Sequence, residues 1–330
     1  MTIMNGDMAK ENPLNRLRRN RPDRLTETWE EKLAADRDAA YRLINDPSLC
    51  FPALFLLHER LNMRADDLEL RPKIALAQIQ NVLHGAGLTI DTQATFADQH
   101  DRIVDSLLWI LHTGWDTLLS ADYAQVIDQT AIQILHTYHC DWIKGMTALI
   151  FYRYKNKSQR HYLIGALFET ADPRVLVHVA NHLLAGDSVE SDYARRLLSF
   201  IPEVRHAGDQ RSAFAAFESW FEENGRYLIY TGETNDTLPA ATPFRIHCEA
   251  KYFGKIVDAK SGRPIQAFLE QEKQRRGAFD RLPPRLQSKL AELSARQRNR
   301  QPQEWRRWLD LPIEQQLAPI SPANSGGERR

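Results

Sequence analysis

Apolar positions recur every three or four residues along most of this chain, the spacing of helices that bury one face. Over 102–119, Ile103, Leu107, Ile110 and Leu111 fall on one side, and Val104, Leu108 and Trp115 widen it, which predicts a well-buried helix. Residues 122–138 repeat the pattern with Tyr123, Val126, Ile127, Ile134 and Leu135, and 141–153 with Trp142, Met146, Leu149 and Ile150. Asp122 and Asp141 stand where an N-cap acceptor would meet the first free backbone N–H groups. Helix follows helix in this way from about 25 to 223, separated by short polar or Pro/Gly breaks.

The sharpest unit runs from Tyr162 to Ile201. Leu163, Ala166 and Leu167 make a short apolar face, and the chain turns at Ala171-Asp172-Pro173, with Asp172 as N-cap and Pro173 first in the next helix. Leu176, Val179, Ala180 and Leu183 follow at i, i+3, i+4 and i+7, and Gly186 is placed to end that helix. A third helix from about Val189 carries Tyr193, Leu197 and Leu198 up to Pro202, and a fourth from about Gln210 stacks Phe214, Phe217 and Phe221 beside Ala213, Ala216 and Trp220. Leu163-Ile164-Gly165-Ala166-Leu167, Asp172-Pro173-Arg174-Val175, Ala180 and Leu183-Leu184 together resemble one HEAT-type repeat over about 162–186. The resemblance implies an α-solenoid-like stack of short antiparallel helices, a fold that holds partners. No second copy recurs at a fixed period.

The helical pattern breaks at Asn224-Gly225. Arg226 to Thr231 is rich in β-branched and aromatic residues and reads as a strand. Phe244 to Phe253 alternates Phe244, Ile246, Cys248, Ala250 and Tyr252 against Arg245, His247, Glu249 and Lys251, the period of a half-buried strand. The expectation is a β-hairpin island over 224–262 packed against the helices, since two strands are not stable alone in water. Beyond it, 263–317 reads as a basic helical segment, with Trp305 and Trp308 three apart on one face. The ends, 1–24 (Arg-rich from Arg16 to Arg24) and 318–330, read as unstructured. The fold class expected is therefore mainly α, with a helical-repeat-like body over 25–223.

Length and composition change this picture little. The chain has 330 residues, 43% hydrophobic and 26% charged, which is ordinary for a globular protein. Its longest apolar run, Leu49 to Leu57, falls well short of the ~20 residues that span a bilayer, and its first twenty residues lack the apolar core of a signal peptide. Cys50, Cys140 and Cys248 are isolated and odd in number, which suits a reducing compartment, so the cytoplasm is the expected location. Charge matters more. Lys and Arg number 43 and so do Asp and Glu, but 46–262 is net acidic while 263–330 is net basic. Such a segregated chain attracts an oppositely charged surface through its end.

Candidate chemistry is sparse. Asp236 followed by Glu249-Ala250-Lys251 on the expected strand resembles the PD-(D/E)xK nuclease pattern. That resemblance implies two carboxylates holding Mg²⁺ or Mn²⁺ and a lysine activating the attacking water. Residues two apart on a strand point the same way, so Glu249 and Lys251 would face one phosphate; the ordinary reading, a solvated strand face, is preferred. His178 and His182 have metal-ligand spacing, but without the glutamate of HExxH they read as exposed polar-face residues. His136, His139 and Cys140 form a second local cluster that lacks another ligand pair. His100-Asp101 is similar to the HD dipeptide of phosphohydrolases, which implies a further His and Asp from among His58, His84, Asp128 and Asp141. Walker A, GxGxxG, GxSxG and paired CxxC motifs do not occur.

These readings converge on a non-enzymatic scaffold or adaptor without a cofactor. It would bind a protein partner or assembly through a helical groove and its basic end. Arg275, Arg276, Arg281 and Arg285 would supply the charge, and Trp305 and Trp308 the apolar anchors; Trp142 and Trp220 are read as core. A metal-dependent nuclease and a nucleic-acid-binding protein are the alternatives. No membrane contact or small-molecule substrate is expected.

Overall fold

The computed structural model describes residues 11–62, 67–85, 99–158, 161–234 and 240–318. They form a mainly helical protein with one small two-stranded antiparallel sheet, as the periodicity predicts. Two compact units divide the chain, Met1–Tyr152 and Arg153–Arg330, so the expected body over 25–223 is shared between them.

The first unit contains α1 (Pro13–Asn20), α2 (Leu25–Ala35), α3 (Arg37–Asn45), α4 (Phe51–Asn62), α5 (Leu70–His84), α6 (His100–Gly114), α7 (Ala121–His136) and most of α8 (Ile143–Lys155). From α4 to α7 each helix packs on the next and, through α4–α6 and α5–α7, on the next but one. The stripes explain this: Ile103, Leu107, Ile110, Leu111, Tyr123, Val126, Ile127 and Ile134 are all buried. Phe51 stacks on Tyr123 at 5.6 Å, and the Tyr123 hydroxyl donates to the Gly114 carbonyl at 2.8 Å. The N-cap of α7 is Ser120, whose Oγ accepts from Tyr123 N at 3.1 Å. Asp122, expected in that role, stands inside the first turn, where its charge favours the positive end of the helix.

The Arg-rich start is folded rather than unstructured. Part of the expected unstructured arm, 13–20, is helical, because Asn12 and Asn15 tie it down. Asn12 Oδ1 accepts from Leu14 N at 2.9 Å and its Nδ2 donates to Leu43 O, while Asn15 donates to Ser48 O and accepts from Cys50 N. Leu14 is 1% exposed. The tail at 319–330 lies outside the described residues.

The second unit opens with α9 (His161–Glu169), α10 (Arg174–Asn181), α11 (Ser188–Leu197), α12 (Pro202–Arg205) and α13 (Gln210–Asn224). Leu163, Ala166, Leu167, Leu176, Val179, Ala180, Leu183, Tyr193, Leu197 and Leu198 are buried as their spacing predicts. Asp172 Oδ1 accepts from Arg174 N at 2.9 Å, and Asp187 and Asp209 cap α11 and α13. Helix α10 stops before Gly186, giving way to a 3₁₀ turn over His182–Leu184.

Strands β1 (Leu228–Tyr230) and β2 (Phe244–Ile246) then pair antiparallel, with Leu228 opposite Ile246 and Tyr230 opposite Phe244. On the other side of β1, Val257 N donates to Arg226 O and Tyr230 N to Ala259 O, so residues 257–259 run alongside it. The chain turns back at Gly262, whose φ of +67° suits a residue without Cβ.

The alternation over 244–253 predicts one long strand, but pairing ends at Ile246 and Cys248–Phe253 is a helix, α14. His247 caps it through Nδ1, and Gly254 ends it in the left-handed conformation with φ 69°. Four further helices follow: α15 (Glu270–Asp280), α16 (Pro284–Arg300), α17 (Pro302–Asp310) and α18 (Ile313–Leu317). Tyr252 and Phe253 of α14 share one apolar cluster with Phe279, Leu290, Ala291, Leu309 and Ile313.

Candidate functional site

Helix α14 replaces the expected strand, and the geometry of Glu249 and Lys251 changes with it. Two residues apart on a helix are roughly 200° apart around its axis, so the two side chains leave in different directions. Lys251 Nζ, on a side chain 3% exposed, donates to Glu223 Oε1 and Asn224 Oδ1, each at 2.7 Å, at the end of α13. Glu249 pairs with Arg276 of α15. Burial pushes the Glu249 carboxyl above its ordinary value, with Arg276 pulling the other way. The expected solvated Glu/Lys face is thus a pair of largely buried charges, each joining α14 to a different helix. Asp236 lies outside the described residues.

The other polar constellations sit apart. His178 and His182 are half-buried rather than exposed, and His182 pairs with Glu190 of α11. His100 and Asp101 are exposed at the start of α6, with the His100 ring 5.5 Å from that of Tyr138. His139 is exposed, whereas His136 and Cys140 are half-buried. Among the described residues, no three His, Cys, Asp or Glu side chains gather as a metal-holding group. In the first unit a cavity of about 440 Å³ is lined by Glu69, Leu70, Arg71, Arg102, Asp105 and Ser106, an even mixture of charges. Arg71 is already engaged there: its Nη2 donates to Asp46 O at 2.7 Å and its guanidinium covers the Trp109 ring.

The basic end carries the residues expected to meet a partner, and the structure sorts them. Arg275 Nη2 reaches Asp310 Oδ1 at 2.7 Å, and Arg276 is held by Glu249 and lies over the Phe268 ring. Trp305 and Trp308 are half-buried against the Tyr252–Phe279 cluster, and Trp305 Nε1 donates to Ser294 Oγ at 2.8 Å. Trp142 is buried, as its reading as core requires, and Trp220 is half-buried. Arg281 is exposed, its Nε donating to Gly277 O, and Arg285 is exposed at the start of α16. Arg298 turns inward, donating to the Tyr227 hydroxyl at 2.6 Å and to Lys251 O, and stacking on Trp305. The residues passed over in the sequence are Lys289, Arg296 and Arg300. With Arg285 they follow helical spacing, a signal visible once α16 is drawn from Pro284 to Arg300.

No helix among the described residues is long and apolar enough to cross a membrane. Compared with protein-family models, with curated proteins and with solved structures, the chain matches none.

Proposed function

We propose that this protein is a non-enzymatic scaffold whose helical units hold an acidic macromolecular partner, engaged by charge through the exposed face of its C-terminal helices. The observation that carries the reading is the division of labour among the C-terminal cations. Arg275, Arg276 and Arg298 are used within the unit, while Arg281, Arg285, Arg296, Arg300, Arg306 and Arg307 face solvent. The packing of α4 to α7 on next and next-but-one neighbours, and the HEAT-like unit over 162–186, support a holding role. The nuclease alternative draws less support, since Glu249 and Lys251 diverge from α14 and are engaged with separate partners.

The test is retention of the full chain on immobilised polyglutamate and on an immobilised oligonucleotide at 50 mM salt. Binding to at least one, released by a few hundred millimolar salt, is the expected result. Failure to bind either would overturn the reading. So would Mg²⁺- or Mn²⁺-dependent cleavage of the oligonucleotide that Glu249→Ala abolishes without unfolding the chain.

A further inference from the structure

Helix α16 is the longest helix among the described residues and has two unlike sides. Leu290, Ala291, Ser294 and Ala295 are buried, and Arg298 bends inward to Tyr227. On the outer side stand Arg285, Lys289, Arg296 and Arg300; Lys289 is half-exposed and the other three are exposed. At 3.6 residues per turn these four fall within a sector roughly 60° wide, and at 1.5 Å per residue they extend over about 22 Å. None of the four forms an ion pair among the described residues, although the neighbouring Arg275 and Arg276 both do. The acidic residue on this face is Glu292, so the row keeps a net charge of three. Helix α17, packed on α16, adds the exposed Arg306 and Arg307 together with Glu304 and Asp310.

We infer that this row is a binding surface for the phosphate backbone of nucleic acid, recognised without regard to sequence. The inference rests on the proposed function, whose acidic partner it identifies by chemistry. A protein interface draws most of its affinity from apolar anchors at its centre. This face offers only the half-buried Leu286 and Leu293 at its edge, because Trp305 and Trp308 are taken up by the inner cluster. A polyanion needs no such anchor: binding comes from cations that displace counterions along a line of phosphates. Arginine, three of the four cations here, matches phosphate through paired donors. At 3.4 Å per phosphate on one strand, the row covers about six phosphates. Contacts to phosphate carry no sequence information of their own, which is why no sequence preference is expected.

The experiment measures binding of the full chain to a labelled 20-base-pair duplex, a 20-nucleotide single strand and polyglutamate as salt is raised from 50 to 200 mM. With four phosphate contacts, the expected slope of log affinity against log salt is about −3.6 for duplex and −2.8 for single strand. Duplex affinity then falls about 150-fold over that range. The variant R285Q/K289Q/R296Q/R300Q should lose most of this slope and keep its melting temperature, whereas R16Q/R21Q on exposed positions of the first unit should leave the slope unchanged. Should the fourfold variant fold poorly, R296Q alone should still reduce the slope by about 0.9. Binding to polyglutamate but not to nucleic acid would overturn this inference and leave the proposed function standing. Binding to neither overturns both. Nucleic-acid binding that persists in the stripe variants, or that R16Q/R21Q abolishes, would place the surface elsewhere and overturn the inference.

Discussion

His247 shows how much a single side chain does in the second unit. Its Nδ1 accepts from Ala250 N at 3.3 Å, so the ring starts α14 in its neutral form. Burial holds its pKa below the ordinary 6.5, and Arg245 and Arg276 push the same way. As pH falls below about 6.5 the unfolded chain takes up a proton that the folded one refuses, so stability declines until the folded pKa is passed. Glu249 has the opposite sign: raised by burial, it loses stability as pH rises from 4.5 through its folded pKa. His247→Asn keeps an acceptor for the cap, and should melt with a smaller drop between pH 7.5 and 5.5 than the parent. An equal drop in both proteins would remove His247 from this account. His247→Ala should cost about 1 kcal/mol at neutral pH, the usual loss of a cap. Lys251 offers a second test. Glu223→Ala strands a buried ammonium and should cost about 3 kcal/mol in urea unfolding. Lys251→Met releases a half-exposed carboxylate to water and should cost about 1 kcal/mol. The reverse order would show that the ammonium is not the dominant charge there.

At the scale of elements, the helices were legible wherever one stripe met one core. Phe217, Leu107 and Val179 are buried because i, i+3, i+4 spacing leaves the chain one way to hide them. The caps were less legible. Ser120 and Asp122 are both good acceptors, and only the extended backbone at Ser120 decides between them. Residues 244–253 misled for a physical reason: alternation of period two also describes a short strand followed by a helix buried nearly all round. In such a helix even Glu249 and Lys251 lie inside, so polarity no longer marks the outer face. The signal that could have separated the two was Gly254, the natural end of a helix, a few residues after a capping side chain. The candidate site inherited that error, since the facing of Glu249 and Lys251 depended on the strand. The cation row of α16 was hidden differently: all its residues are plain in the sequence, but which arginines stay free depends on Asp310, Glu249 and Tyr227, partners remote along the chain.

Across the whole molecule, the apparent boundary at 262 separates residues that share one core. Tyr252 stacks on Phe279 at 4.8 Å and its hydroxyl donates to Gln316 Oε1 at 2.7 Å, so the side of α14 that carries Tyr252 and Phe253 is covered by α15 to α18, while Ala250 faces Tyr227 and Val257. A chain cut after Gly262 keeps the sheet and α14 but strips that cover from Tyr252 and Phe253. It should bind a dye such as ANS strongly and lose the cooperative melt of its second unit, while the full chain does neither. A fragment that melts cooperatively and ignores the dye would show that α14 belongs to the sheet rather than to the helices after it. Partner binding is accordingly better mapped by substitutions on the outer side of α16 than by truncation.

The same shared core has a consequence for how the protein is made. On a growing chain Tyr252 and Phe253 are synthesised before any residue of α15 to α18. At 5–20 residues per second, their rings wait roughly 3 to 13 s while residues 254–317 are added. A sticky aromatic pair is then present on every nascent copy, at the stage when neighbouring chains on one message lie closest together. A premature stop shortly after Phe253 would leave it uncovered for good, yielding a chain prone to aggregate rather than a shorter working one.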